Sequence, residues 1–170
     1  MRVRPEVEAD RAAIRAVNEA AFGSPLEADI VDALRVKGVE LMSLVADRDG
    51  VVLGHILLSP VSLVGHDGLR LLGLGPMAVL PREQRNGIGS TLAREGLRRC
   101  KHLGVQAVVV VGHPQFYPRF GFIPASRYAI RCEYDVPDDV FMIAELESGA
   151  LRGASGLIRY DAAFGGEEKR

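Results

Sequence analysis

The stretch that decides the fold is MAVLPREQRNGIGS at residues 77–90, followed by TLAREGLRRCKHLG to residue 104 and VQAVVVVG to residue 112. MetAlaValLeu ends an apolar run that begins at Leu69 and reads as a strand to Leu80. Pro81 breaks it, and a polar loop follows. From Ile88 the apolar residues Ile88, Leu92, Ala93, Leu97 and Cys100 fall on one helical face, and Gly104 closes the run. Gln106 to Val111 is then almost uninterruptedly apolar, the pattern of a strand buried on both faces. Strand, glycine-bearing loop, helix and buried strand make a crossover unit with two parallel strands.

The loop itself carries the chemistry. Backbone N–H groups of Gln84 to Gly89 converge with the N-terminus of the following helix, a place that favours an anion. Glycines at 87 and 89 let a phosphate approach the backbone, and Ser90 offers a hydroxyl donor. The loop lacks the GlyLys[Ser/Thr] ending of a triphosphate-binding loop. GLGPMA at Gly73 to Ala78 fits the dinucleotide fingerprint in letters, but no helix follows it.

Upstream, Asp10 is placed to cap an amphipathic helix running to Phe22, with Ile14, Val17 and Ala21 at helical spacing and Gly23 as its end. Ser24, Pro25 and Glu27 form a capping-box arrangement for a second helix through Leu26, Ile30 and Leu34, stopped at Gly38. LMSLVADRDGVVLGHILLSPVSLV at residues 41–64 reads as a hairpin turned at AspArgAspGly, and GlyHisAspGly at 65–68 leads into the next strand. These strands read as an antiparallel meander. HPQFYPRFGF at residues 113–122 offers a short aromatic helix, with further strands around 128–134 and 140–146. No repeat or linker divides the chain, so residues 1–170 read as a single domain.

Composition narrows the function. With 48% hydrophobic and 25% charged residues in 170, the chain has the make-up of one soluble globular domain. Its 21 basic residues nearly balance 22 acidic ones, which leaves no nucleic-acid footprint. No segment has the length of a membrane helix or the form of a secretory leader, so no membrane association and a cytoplasmic location are expected. The four histidines and two cysteines lack metal-ligand spacing, so no metal is expected, and Cys100 and Cys132 read as buried thiols.

Gln84, Gly87 and Gly89 after a strand, with TyrProArgPheGlyPhe at 117–122 further along, resemble the signature motifs of the GNAT superfamily of acetyl-CoA-dependent N-acetyltransferases. The resemblance covers residues 10–122, and HPQFYPRFGF is similar to a YhbS-like bacterial branch; residues 123–170, the C-terminal strands and tail, match loosely. It implies an α/β fold (α+β by some schemes): a mixed, mostly antiparallel central sheet, two splayed parallel strands, and helices on both faces. It also implies an enzyme that moves acetyl from acetyl-CoA, its cosubstrate, to a primary amine by direct attack in a ternary complex. The acceptor is a small-molecule or protein amine, and a homodimer is possible in the family.

By the same resemblance, the pantetheine arm of the coenzyme lies along Leu74–Leu80 and Gln106–Gly112. Main-chain groups of Met77, Ala78 and Val79 meet the pantetheine and acetyl, while Gln84, Arg85, Asn86, Gly87, Ile88, Gly89 and Ser90 hold the pyrophosphate. Tyr117 is the expected general acid: a phenol near ~10 can protonate a departing thiolate near ~8.5. Family members with a glutamate base on the fourth strand place it near Gly73, so that role is vacant here. His113 is a second catalytic candidate, and Glu19, Glu27 and Asp29 are candidates for selecting a cationic acceptor. A non-catalytic acyl-CoA-binding or sensing module is the alternative.

Overall fold

The computed structural model describes residues 1–169. In chain order it contains β1 (Arg2–Pro5), α1 (Arg11–Phe22), α2 (Leu26–Val36), β2 (Met42–Arg48), β3 (Val51–Leu63), β4 (Leu71–Val79), α3 (Ile88–His102), β5 (Ala107–Val111), β6 (Ile123–Pro124), β7 (Ile130–Cys132), β8 (Phe141–Glu145) and β9 (Gly156–Arg159). The strands form a mixed, mostly antiparallel sheet, as the resemblance implies. Two compact units share the chain: residues 1–59 with 75–96, and residues 60–74 with those from Leu97 onward. Strands β3 and β4 and helix α3 each contribute to both.

In the first unit β1, β2 and β3 are successive antiparallel neighbours. The β2–β3 hairpin turns at Asp49 and Gly50, both at positive φ (53° and 83°), the two-residue turn that the AspGly pair specifies. Alternation along β3 sends His55 toward α1, where Asn18 meets it. Gly54, Ile56 and Leu58 point the other way, toward α3: a Cβ on Gly54 would lie 3.1 Å from Ile88 and Leu92, and Gly96 of α3 closes on Leu58 and Ile56. Helices therefore cover both faces of this strand.

Both helix caps differ from expectation. Asp10 stands at the cap position of α1 but in a helical conformation and makes no side-chain cap. Its carboxylate is taken by Arg4 (2.7 and 3.0 Å) and by the Val7 N–H (2.8 Å). The Arg4 guanidinium holds Asp10 and Asp47 below the usual carboxylate range, and this pair of contacts ties β1 to its surroundings. At α2 no capping box forms; Ser24 Oγ accepts from Leu26 N–H at 3.2 Å. Gly38 does end α2, at φ 72°.

In the second unit β4 and β5 run parallel with Leu71↔Ala107 through Leu74↔Val110, as the crossover reading requires. The pairing stops there although β4 continues to Val79, and Pro76, lacking an amide hydrogen, sits just beyond. Antiparallel β8 flanks β5 on its other edge, which accounts for the full burial of 107–110. β6 pairs with β8, and β9 with both β3 and β7. HPQFYPRFGF forms a 3₁₀ turn over Tyr117–Phe120 rather than an α-helix, because Pro118 and Gly121 leave no room for more than one turn. Cys100 is fully buried, whereas Cys132 is only half-buried, a departure from the expected pair of buried thiols. Among the described residues no helix is long and apolar enough to cross a membrane.

Candidate active site

The loop between β4 and α3 is open and left-handed at two points. Arg85 has φ 66° and Gly87 φ 85°, an alternation that turns successive N–H groups toward one concavity. Nothing lies within 4 Å of the position a Cβ on Gly87 would take. Thr91 is the first residue whose N–H bonds back into the turn, to Gly87 O at 3.0 Å, with its hydroxyl on the same carbonyl at 2.9 Å. The amides of Ile88, Gly89 and Ser90 precede it in the first turn of α3, where helix geometry supplies no partner. The Ile88 side chain is buried and pins the helix start, while Arg85 and Asn86 are exposed.

Gln84 behaves otherwise than expected of a phosphate contact. Its Nε2 donates to Val79 O at 3.0 Å, so the side chain braces the loop against the end of β4. Of the three β4 positions, Met77 and Val79 are half-buried and Ala78 is buried, which leaves main-chain groups as what they can offer a ligand. With the Val79 carbonyl engaged, amide donors are the more useful of these.

Tyr117 is 6% exposed, and its ring meets Phe116, Phe120 and Phe122 edge-on at 5.0, 6.5 and 5.6 Å. It also fills the space beside Gly112: a Cβ there would be 2.4 Å from Tyr117 Cε2. Glycine at 112 is thus a requirement of the tyrosine, a signal hidden in what the sequence presents as turn chemistry. Burial pushes the phenol up to about 12. His113 is exposed, and its carbonyl accepts the N–H groups of Phe116 and Tyr117 at 3.1 and 3.3 Å, fixing the turn that presents Tyr117.

The acidic candidates divide. Glu19 and Asp29 are engaged by Arg15 at 3.7 and 2.8 Å, whereas Glu27 keeps one buried carboxylate oxygen without a hydrogen-bond partner among the described residues. Cys100, pushed up to about 11 by burial, has the character of a core thiol.

Comparison with known proteins places the chain in a family. The model of the acetyltransferase (GNAT) family matches residues 12–122. The uncharacterised N-acetyltransferase YhbS of Escherichia coli K12 is 36% identical over 165 residues, 96% of this chain and 98% of that protein. YjhQ, an uncharacterised N-acetyltransferase of the same organism, is 35% identical over 78% of this chain and 75% of its own. Among solved structures, YhbS of Escherichia coli in complex with CoA superposes with a TM-score of 0.92 at 35% identity, covering 96% of this chain and 91% of that one. A GNAT acetyltransferase of Brucella melitensis in complex with acetyl-CoA gives 0.79 at 37% identity, covering 96% and 97%.

Proposed function

This chain belongs to the acetyltransferase (GNAT) family, and on that premise we propose that it transfers acetyl from acetyl-CoA to a primary amine by direct attack in a ternary complex. It acts as a single domain in the cytoplasm, a reducing compartment in which the product thiol stays free. The loop from Gln84 to Ser90 holds the pyrophosphate: the open Gly87 and the first amides of α3, which helix geometry leaves without an intrahelical partner, supply donors, and Gln84 keeps the loop in place. Amides of Met77 to Val79 serve the pantetheine and polarise the thioester carbonyl. Support comes from the relatives crystallised with CoA and with acetyl-CoA.

The observation that carries the catalytic reading is Tyr117, buried against a bare Gly112 just past β5 with its phenol held neutral. The amine nitrogen attacks the thioester carbon, a C–N bond forms, and the C–S bond breaks. The sulfur leaves with the electron pair and takes the Tyr117 proton, and solvent restores it. Desolvation of the departing sulfur beside the buried phenol raises the sulfur's basicity and favours the transfer. The proton lost by the amine passes to water, with exposed His113 as the candidate carrier.

Titration calorimetry with acetyl-CoA, followed by release of free thiol across an amine panel, tests this. Micromolar binding with thiol release for some amine is expected. Binding without release for any amine would leave a sensing module, and no binding would sink the reading.

A further inference from the structure

Two glycines near the carboxyl end of the β4–β5 pairing face a tyrosine ring where a side chain would stand, at Gly73 together with Val61 as the nearer neighbour. One is Gly112, beside Tyr117. The other is Gly73, where a Cβ would lie 3.1 Å from Tyr160 Cε1 and 3.0 Å from Val61 Cγ1. Gly73 pairs with Val109, one residue before the parallel pairing ends at Leu74↔Val110.

Tyr160 follows β9 directly and is fixed from several sides. Its N–H donates to Glu133 Oε1 at 2.7 Å. Its ring stacks on Tyr134 at 5.6 Å and 27°, and meets Phe164 edge-on at 5.6 Å. It packs on the cluster that holds Val61 and Val109. Strand alternation puts Gly73 and Val109 on one face of the sheet and Gly112, whose N–H continues the ladder to Val140, on the other. The two tyrosines therefore reach the end of the parallel pair from opposite faces. Sheets with parallel strands bind ligands outside the carboxyl ends of those strands, and this is such an end.

We propose that Tyr160 positions the acceptor: its phenol oxygen accepts an N–H of the primary amine and turns the nitrogen lone pair toward the thioester carbon, while Tyr117 serves the departing sulfur from the other face. The inference rests on the transferase reading above. Burial first, then the neighbouring Cys132, Tyr134 and Glu133, hold the Tyr160 phenol well above its ordinary value. A neutral phenol oxygen can accept an N–H but does not remove a proton, so Tyr160 orients the amine and is not its base.

Tyr160→Phe keeps the stack and removes only the oxygen. The expected result is a fall of about 5- to 10-fold in kcat/KM for the amine, the range of one lost hydrogen bond. The acetyl-CoA Kd and the melting temperature should not change. Gly73→Ala, whose methyl crowds the Tyr160 ring and Val61 by a few tenths of an ångström and leaves the phenol's chemistry intact, should raise the amine KM about 2- to 3-fold, with acetyl-CoA affinity again constant. Amine kcat/KM within twofold of wild type in both variants would overturn the proposal and leave the transferase reading intact. A weakened acetyl-CoA Kd in Tyr160→Phe would make Tyr160 a coenzyme contact and also overturn it. No thiol release by the wild type with any amine would remove the transferase reading and this inference with it.

Discussion

His55 and Tyr117 are both buried titratable side chains, and burial drives both toward the neutral form, in opposite directions on the pH scale. His55, fully buried in the middle of β3, is pushed down to about 3, with Arg35 adding repulsion. Tyr117 is pushed up to about 12. Their attachments separate them. Asn18 Nδ2 is a donor, so His55 Nδ1 accepts from it at 3.1 Å, and Nε2 must carry the proton it gives to Ser43 Oγ at 2.9 Å. Tyr117 is fixed through its ring, by aromatic edges and a bare glycine. A buried group whose polar atoms are all engaged inside the fold serves the fold. One fixed by its apolar part carries no such tie, which is what the catalytic proposal for Tyr117 requires.

His55→Ala should show the largest effect, and on stability. It leaves Asn18 and Ser43 facing a cavity, at a cost of about 3 kcal/mol, or a drop of roughly 6 to 12 °C in melting temperature. Turnover measured well below that temperature should stay within about threefold of wild type. A selective loss of turnover would break the comparison, because His55 would then be acting on the reaction. Tyr117→Phe should invert the pattern: kcat falls by about 100-fold, the weight of a general acid, with acetyl-CoA binding by calorimetry and thermal melting nearly unchanged. Equal kcat values in mutant and wild type would return Tyr117 to the role of core aromatic.

Gly112→Ala sharpens the same point with a smaller effect. The added methyl cannot stay 2.4 Å from Cε2, so the tyrosine ring must move. A fall in kcat of about 10-fold is expected from a displaced acid, with the acetyl-CoA Kd unchanged. Steady-state kinetics that show only a raised acetyl-CoA KM would mean that Gly112 serves the coenzyme instead.

The crossover unit was legible because periodicity changes twice within forty residues, from β4 to α3 to β5, and glycines mark the joints. β1 was not: two arginines and a proline in four residues carry no strand signal, and its place depends on Arg4 reaching Asp10 and Asp47. β9 lies in a glycine-rich tail and takes its register from β3 and β7. The loop between β4 and α3 could be read as a left-handed turn because glycine announces such a backbone conformation. Gly112 and Gly73 could not, because the residues that crowd them, Tyr117 at the first and Tyr160 with Val61 at the second, meet them only through folding. His55 stood in plain view amid apolar neighbours, but its partners come from α1 and β2.

The last effect is graded by pH. Because the native chain holds His55 near 3 and the unfolded chain near 6.5, the unfolded state binds the extra proton between those values. Stability is therefore fully present above pH 6.5 and is lost as pH falls toward 3, with a limiting slope of about 1.4 kcal/mol per pH unit. Asp10 and Asp47, lowered by Arg4, add their own loss only below their ordinary value of 3.8, so the interval from 4 to 6.5 isolates the histidine. Denaturant unfolding at several pH values across that interval should show wild-type stability declining and His55→Gln nearly flat, since an amide does not titrate. On the alkaline side the signs mirror this: Cys100, held near 11 against 9.0 when unfolded, costs stability above pH 9, and Tyr117 adds its own loss above pH 10, as the unfolded phenol ionises while the buried one stays protonated toward 12. Parallel acid slopes in wild type and His55→Gln would show that the native fold admits the proton at His55, and the contrast between a structural histidine and a chemical tyrosine would lose its first member.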